Sequence, residues 1–314
     1  ICGTVGARLA QAGLPVTLIA RGEHARVIGE RGLRLRAPGE DVILPLPVVT
    51  HPAELEQPQD AELVVVLAMK SQHTEQALQD LQLSGLRDPH VVCMQNGVAN
   101  ERLAARHFEQ VYAAVVNLPA MHLTPGEVIT HAQGHGGILD TGCYPQGSND
   151  ISVQINADLT RAGFSARPDD AVMRQKYAKL LMNLANILQA GVPPSEDTSE
   201  VGRSLRREAL ACFAAAGIEC ATQEEARARR QGVYRMAEVE GVERTGGSSW
   251  QSLARGTGDI ETDYLNGEIC ALGRQHGVPT PVNDACMRMA REILAGDQQP
   301  WQFTVADLEG WIEG

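Results

Sequence analysis

Short apolar runs alternate with helix-period segments over the first half of the chain. The β-prone runs are Val16–Ala20, Leu63–Ala68 and Val91–Met94, and the helical segments are Val5–Ala12, His24–Arg31, Thr74–Leu81 and Asn100–Phe108. Strands that alternate with helices indicate βαβ units and a mostly parallel sheet. Between residues 111 and 155 glycine and proline interrupt the β-prone pieces, which predicts further strands that are partly antiparallel.

After Pro168 the hydrophobic pattern is almost entirely helical. Ala171–Ala190 predicts one long helix, because Gly191 and the pair Pro193-Pro194 follow it as stop signals. Further helices are predicted over Gly202–Ala216, Glu224–Glu240, Glu261–His276 and Asn283–Leu294. We therefore expect an α/β domain over residues 1–168 and an all-α domain over residues 169–314.

Composition and charge exclude several classes of function. The chain of 314 residues has a net charge of −12, which argues against a nucleic-acid partner because phosphate binding needs clustered Lys and Arg. The seven cysteines are scattered without a CxxC motif, so we expect reduced thiols in the cytoplasm and neither disulfides nor a metal site. The sequence predicts neither a signal peptide nor a membrane span.

The first thirteen residues are typical of the later part of a Rossmann dinucleotide-binding segment. In such a segment glycines form a tight turn, and the following helix meets the cofactor pyrophosphate with its N-terminus. Cys2 stands where the third glycine is expected, followed by Gly3, and Gly13 ends the helix. Because the chain begins with Ile1 and not Met, we expect the first strand and first glycines to precede residue 1. A glycine-containing helix without a ligand would explain this stretch equally well.

Polar residues follow three predicted strands at the edge where such sheets bind ligands. Arg21 ends the second Rossmann strand, where an acidic residue would favour NAD and an arginine suits the 2′-phosphate of NADP. Lys70 and Asn96 follow the next two apolar runs. Each alone is as readily a solvated loop lysine or a turn residue, but their joint placement favours ligand binding.

The predicted helix Ala171–Ala190 carries a second candidate cluster. Lys179, Asn183 and Asn186 stand at i, i+4 and i+7, so they project within roughly 60° of one another from a helix that is otherwise apolar. Burial would lower the pKa of such a lysine and make it a usable proton donor near neutral pH. The alternative is a lysine that reaches the surface beside structural asparagines.

These motifs, in this order, resemble the 2-dehydropantoate 2-reductase (ketopantoate reductase) family. They are Leu67-Ala-Met-Lys70, Gln95-Asn96-Gly97, Lys179-x-x-x-Asn183, Ser248-Ser249 and Glu261-Thr-Asp-Tyr-Leu-Asn266-Gly. The resemblance covers nearly the whole chain and implies a Rossmann-like NADP-binding domain followed by an all-α substrate domain. It implies reduction of a 2-oxo acid by NADPH, as in pantothenate biosynthesis, and leaves open whether the chain forms a homodimer.

The resemblance also implies roles for individual residues. Lys179 would be the general acid, and Glu261 would close the site near the nicotinamide. Asn183, Asn186 and Ser249 would hold the substrate, and Asn96 would touch both substrate and cofactor. Arg21 and Lys70 would bind the cofactor, together with Cys2 and Gly3 at the helix start.

The substrate pocket departs from the family pattern. The second helix asparagine is usually eight residues after the lysine, but Ile187 stands there and Asn186 comes one residue early. Leu253 and Ser252 occupy the region of a usual acidic residue, and Trp250 replaces a common methionine. The sequence therefore leaves three alternatives for the substrate: ketopantoate, another 2-oxo acid, or a bulkier carbonyl compound. A non-catalytic NADPH-binding regulator is a further alternative, which the retained Lys179 and Glu261 disfavour.

Overall fold

The computed structural model of the chain describes residues 1–58, 62–242, 246–254, 256, 260–297 and 299–313. It divides into two compact units. The first comprises Ile1–Asn96, Asn100–Gln175 and Thr222–Glu243, and the second comprises Gly97–Ala99, Lys176–Ala221 and Arg244–Gly314. The predicted fold class, an N-terminal α/β unit and a mostly helical C-terminal unit, is confirmed.

Helices make up most of the regular structure. In chain order they are α1 (Cys2–Gln11), α2 (Gly22–Arg31), α3 (Thr74–Gln82), α4 (Asn100–Ala104), α5 (Asp150–Arg161), α6 (Val172–Asn183), α7 (Asn186–Gly191), α8 (Ser199–Ala216), α9 (Gln223–Arg230), α10 (Ser248–Ala254), α11 (Asn266–His276), α12 (Pro281–Ala295) and α13 (Val305–Glu313). Single 3-10 turns occur at Pro52–Glu54, Ser71–His73 and Thr262–Tyr264. None of the described helices is both long enough and apolar enough to cross a membrane.

The strands form four small sheets. In chain order they are β1 (Leu18–Ile19), β2 (Leu33–Ala37), β3 (Glu40–Leu44), β4 (Val48–Val49), β5 (Val64–Leu67), β6 (His90–Cys93), β7 (Val111–Ala114), β8 (Ala120–Met121), β9 (Glu127–Thr130), β10 (Ala132–Gly134), β11 (Thr141–Cys143) and β12 (Tyr234–Met236). One sheet has the order β11-β7-β6-β5, and its β5, β6 and β7 are parallel. The others are β3-β2-β9-β8, the parallel pair β1-β4 and the antiparallel pair β10-β12.

Strand β6 shows why this sheet is covered on both faces. Its side chains alternate, so Val92 packs in a core cluster with residues of α1 and α5, while Val91 and Cys93 pack in a cluster with Leu78 and Leu81 of α3. All four residues of β6 are buried. Strands buried on both faces are typical of parallel sheets between helices, as the hydrophobic runs predict.

The hairpin β2–β3 was not predicted from the sequence. Its strands pair antiparallel around Pro38-Gly39, where Gly39 has a φ of 75°. Leu33 and Leu35 are fully buried, but Arg34 and Arg36 lie between them and mask the alternation in a search for apolar runs. The arginines pair with acids, since Arg34 contacts Asp41 at 2.6 Å.

The predicted helix Glu224–Glu240 is wrong over its second half. Helix α9 ends at Arg230, Gly232 has a φ of 74°, and β12 pairs with β10. This segment belongs to the first unit, whereas the sequence places it in the second domain. Arg229 anchors it: its guanidinium binds Asp140 at 2.5 and 2.6 Å and Ser165 Oγ at 3.0 Å, and Asp140 is only 2% exposed.

The predicted long helix Ala171–Ala190 is also wrong, since it is divided into α6 and α7. The break falls at Leu184 and Ala185. The carbonyl oxygen of Leu184 accepts a hydrogen bond of 3.1 Å from Nδ2 of the buried Asn266. A side-chain donor therefore binds a carbonyl at the point where the helical ladder is interrupted.

Candidate active site

Lys70 and Asn96 lie at the same edge of the first unit's main sheet. Strands β5 and β6 are parallel and pair Leu67 with Cys93, and each polar residue follows its strand end by three positions. Both side chains are half-buried. The sequence prediction that these residues share the carboxyl edge of the sheet is borne out by this register.

A buried network of polar side chains joins the two loops that carry Lys70 and Asn96. Gln95 Nε2 donates to the Met69 carbonyl at 2.9 Å and to Thr74 Oγ1 at 2.8 Å. Thr74 Oγ1 donates to Asn100 Oδ1 at 2.9 Å, and Asn100 Nδ2 donates to the Asn96 carbonyl at 3.0 Å. These hydrogen bonds fix the positions of both strand ends. No motif in the sequence indicates that Thr74 or Asn100 takes part in them.

Arg21 lies where the sequence predicts it, at the end of β1 and directly before α2. Its side chain is 65% exposed, and its Nη2 contacts Asp80 Oδ2 of α3 at 2.8 Å. Strands β1 and β4 are parallel, so the residue after β4 comes to the same edge as Arg21. Asp80, which no sequence motif indicates, reaches this edge from α3 through its contact with Arg21.

The start of α1 has the features of a phosphate-binding helix N-terminus. Cys2, Gly3 and Thr4 occupy its first positions, where backbone N–H groups have no partner within the helix. The Thr4 hydroxyl is buried and has no hydrogen-bond partner among the described residues. Gly3 has a packing reason too, because an added Cβ would lie 2.7 Å from Val128 Cγ1.

In the second unit, Lys179 and Asn183 lie one turn apart on α6. Lys179 is half-buried, and Asn183 is 6% exposed. Among the described residues the Asn183 amide nitrogen, Nδ2, has no hydrogen-bond partner. A buried donor without a partner costs about 1–3 kcal/mol, so its retention points to a ligand that accepts this bond.

Asn186 does not continue the face of α6, because it begins the separate helix α7. A chain of buried hydrogen bonds holds the break that separates the two asparagines. Asn266 Nδ2 also donates to Asn283 Oδ1 at 3.1 Å, and Asn283 Nδ2 donates to Glu208 Oε2 at 2.8 Å. Asn266 belongs to the motif Glu261-Thr-Asp-Tyr-Leu-Asn266-Gly, but nothing in that motif indicates this structural contact.

Ser249 lies buried on α10, which packs against α7, the helix that begins with Asn186. Gly247 directly precedes α10 and lies near α7, since an added Cβ would be 2.8 Å from Oε1 at the end of the exposed Gln189 side chain. Glu261 precedes the 3-10 turn Thr262–Tyr264, and its side chain forms no capping hydrogen bond there. Glu261 therefore does not act as a side-chain cap of this turn.

Three details of the second unit change the sequence interpretation. Ile187 and Leu253 are 1% and 2% exposed, so both belong to the core, which weakens the argument that they alter a pocket. Lys176, three residues before Lys179, is 3% exposed, so an alanine substitution there would disturb the core and would not be a neutral control for Lys179. Trp250 has a buried indole nitrogen without a partner among the described residues, and its ring centroid lies 6.0 Å from that of Trp301.

Two buried cysteines of the helical unit, Cys270 and Cys286, are poorly suited to act as nucleophiles at neutral pH. Burial raises the pKa of Cys270 to about 12, and burial also raises the pKa of Cys286. A thiol acts as a nucleophile only as the thiolate, so neither side chain is suited to covalent catalysis.

Comparisons with known proteins agree with this architecture. The family model "Ketopantoate reductase PanE/ApbA" matches residues 1–146, and its C-terminal counterpart matches residues 171–294. A 2-dehydropantoate 2-reductase from Mesorhizobium japonicum is 28% identical over 93% of this chain and 94% of its own length.

Two solved structures are also similar to the chain. A PanE/ApbA family ketopantoate reductase from Ralstonia eutropha is 28% identical with a TM-score of 0.76, covering 94% of this chain and 95% of its own. D-mandelate dehydrogenase with NADH and anilino(oxo)acetate is 25% identical with a TM-score of 0.77, covering 93% and 95%.

Proposed function

The chain belongs to the ketopantoate reductase PanE/ApbA family, and we propose that it reduces 2-dehydropantoate (ketopantoate) to the 2-hydroxy acid pantoate with NADPH. The observation that carries the proposal is the buried amide nitrogen of Asn183, which lies one helical turn from Lys179 and has no hydrogen-bond partner among the residues that the structure describes. An ammonium group and an amide donor on one helix face suit a substrate that has a carbonyl oxygen and a hydroxyl group. The matched relatives named 2-dehydropantoate 2-reductase support this substrate class.

The proton step is assigned to Lys179. NADPH, when bound, would supply the hydride that reduces the carbonyl carbon, and the carbonyl oxygen would then need a proton. Lys179 Nζ donates a proton to that oxygen, so the product is the neutral hydroxyl, and the lysine is reprotonated from solvent. Such positioned acid catalysis contributes typically about 10²- to 10⁴-fold to the rate.

Substrate binding is assigned to Asn183, Asn186 and Ser249, with Asn96 at the sheet edge of the first unit. Asn183 Nδ2 donates to a substrate oxygen and thereby satisfies its missing hydrogen bond. Ser249 donates its hydroxyl to the substrate carboxylate. Glu261 stays assigned to the nicotinamide end of the site by resemblance.

The residues of the first unit fit a dinucleotide. The first N–H groups of α1, the buried Thr4 hydroxyl, and the Arg21 guanidinium at the end of β1 offer donors and positive charge suited to phosphates. Lys70 lies at the next strand end of the same unit. We assign NADPH as the preferred cofactor because Arg21 occupies the position that an acidic residue holds in NAD-binding sites.

A bulkier 2-oxo acid is the second candidate substrate. D-mandelate dehydrogenase, whose solved complex holds anilino(oxo)acetate, has a similar fold over 93% of this chain. Trp250 follows Ser249 directly and keeps an unpaired indole N–H beside the Trp301 ring. Two neighbouring tryptophan rings favour an apolar or aromatic group next to the oxo acid of the substrate.

The test is NADPH oxidation measured against a panel that contains ketopantoate, phenylglyoxylate and simple aliphatic 2-oxo acids. We expect ketopantoate turnover with kcat/KM of about 10⁴ M⁻¹s⁻¹ or above, as is usual for a dedicated enzyme. A clear preference for phenylglyoxylate would transfer the assignment to the second candidate. If NADPH binds but no 2-oxo acid is reduced, the chain is a cofactor-binding regulator and not a reductase.

The chain has only three lysines, Lys70, Lys176 and Lys179, so few ammonium groups could act as the proton donor. Lys179→Ala should lower kcat by about 10²- to 10⁴-fold and leave NADPH affinity unchanged. Because Lys176 is buried, its comparison variant is Lys176→Met, which keeps the hydrocarbon length. Loss of kcat in the Lys176 variant alone would move the proton donor to that residue.

A further inference from the structure

The exposed guanidinium of Arg21 forms an ion pair with a carboxylate on a neighbouring helix. Asp80 Oδ2 lies 2.8 Å from Arg21 Nη2, and the Asp80 side chain is 15% exposed. Gln76 Nε2 donates to the other oxygen, Asp80 Oδ1, at 2.8 Å. Both carboxylate oxygens are thus engaged, and the amide of Gln76 fixes the carboxylate that contacts Arg21.

A third group stands at the same edge. His51 comes shortly after β4, the parallel neighbour of β1, and its Nε2 lies 3.9 Å from Asp80 Oδ1. His51 Nδ1 accepts a hydrogen bond from the Ala53 N–H at 3.2 Å, so Nε2 is the ring nitrogen that faces Asp80. Asp80 therefore lies at the carboxyl edge of β1 and β4, in contact with the residue assigned to the 2′-phosphate.

We propose that Asp80 is a specificity-determining residue that competes with the 2′-phosphate of NADPH for Arg21, and so reduces the preference for NADPH over NADH. The proposal rests on the assignment of NADPH to Arg21 under the proposed function. When a phosphate dianion binds the guanidinium of Arg21, the ion pair between Arg21 and Asp80 is weakened or broken. The Asp80 carboxylate also repels the dianion. NADH carries no 2′-phosphate, so its binding does not disturb the pair.

The size of the effect follows from the exposure of the pair. Arg21 is 65% exposed, and an exposed ion pair contributes little in water and salt. We therefore expect Asp80→Asn to tighten NADPH binding about fivefold, which corresponds to about 1 kcal/mol. The amide keeps the shape of the side chain and its contact with Gln76 while removing the charge.

The experiment is isothermal titration calorimetry of the full chain with four ligands: NADPH, NADH, 2′,5′-ADP and 5′-AMP. The two adenosine fragments report the 2′-phosphate alone, without hydride chemistry. Asp80→Asn should lower the Kd of NADPH and 2′,5′-ADP about fivefold and change those of NADH and 5′-AMP less than about twofold. In an Arg21→Ala background the gain should shrink to about twofold or less, because only the screened repulsion remains.

Glu75→Gln is the matched control, since it removes one negative charge from the same helix. Glu75 contacts Gln79 and His107 and not Arg21, so its variant should leave all four affinities unchanged. The inference is overturned if Asp80→Asn weakens NADPH or leaves it unchanged, while the native protein binds NADPH and reduces a 2-oxo acid. If the native protein binds neither dinucleotide, the proposed function is refuted together with this inference.

Discussion

Replacing Asn183 with leucine should make the protein more stable and much less active. The Asn183 amide nitrogen is buried without a partner among the described residues, and the side chain is 6% exposed. An unsatisfied buried donor costs about 1–3 kcal/mol, and leucine, whose side chain has the same branched skeleton of heavy atoms, removes that cost and buries apolar surface. The free energy of unfolding should therefore rise by roughly 1–2 kcal/mol, which corresponds to a rise in Tm of about 2–4 °C for each kcal/mol in a chain of this size.

The activity should change in the opposite direction. A hydrogen bond from this amide to a substrate oxygen contributes about 1.5–3 kcal/mol when the oxygen is charged, so kcat/KM should fall about 10- to 150-fold. Thermal unfolding followed by circular dichroism gives the first quantity, and NADPH oxidation against ketopantoate gives the second.

A second asparagine in the same unit provides the matched control. Asn283 is fully buried, but its side chain is bonded to Asn266 and Glu208. Asn283→Leu should lower the free energy of unfolding by about 2–4 kcal/mol, because it leaves those buried partners unsatisfied. If Asn183→Leu destabilised the protein as much as Asn283→Leu, Asn183 would be a structural amide, and its role in substrate binding would be refuted.

The remaining predictions concern other parts of the chain. If Lys179 is the acid, methylamine should restore part of the activity of Lys179→Ala at pH 8 in a rate assay; no rescue at any amine concentration would speak against it. Arg21→Ala should weaken NADPH at least about tenfold and leave NADH unchanged, measured by fluorescence titration, and equal losses would contradict the phosphate role. Burial and the adjacent His122 lower the pKa of His24 from 6.5 to about 4, so the unfolded chain binds more protons, and stability should fall as pH drops from 6.5 towards 4. His24→Asn should flatten this fall in Tm, and an unchanged pH profile would exclude His24 as its source. Asp140→Asn should lower the free energy of unfolding by about 3–5 kcal/mol, because Arg229 loses its buried charged partner. Urea unfolding measures this loss, and a clearly smaller value would show that the ion pair is solvated.

Much of the first unit follows from local sequence. The apolar runs before Arg21, Lys70 and Asn96 form strands, and parallel pairing then brings their ends to sheet edges. Asp80 could not be found in this way, because its contact with Arg21 joins residues 59 positions apart. Spacing along one helix says nothing of such a pair.

The division of the substrate helix shows the same limit. Every residue from Leu180 to Leu188 suits a helix or tolerates one, so local preference favours a single element. The break depends on Asn266, 82 residues further along the chain. Strand β12 likewise depends on β10, and Arg235 contacts Gln133 across 102 residues. Tertiary contacts decide these elements, so the sequence pattern alone predicts the wrong boundaries.

The return of residues 222–243 to the first unit has a consequence for biosynthesis. Asp140 is buried against Arg229, which follows it by 89 residues. Arg229 therefore leaves the ribosome long after the strands of the sheet around Asp140. Closing a loop of that length slows folding more than it reduces stability. The α/β unit therefore cannot complete its core while it is the only part synthesised, and a nascent chain truncated before residue 222 should stay sensitive to protease at a stage when its sheet strands are already present.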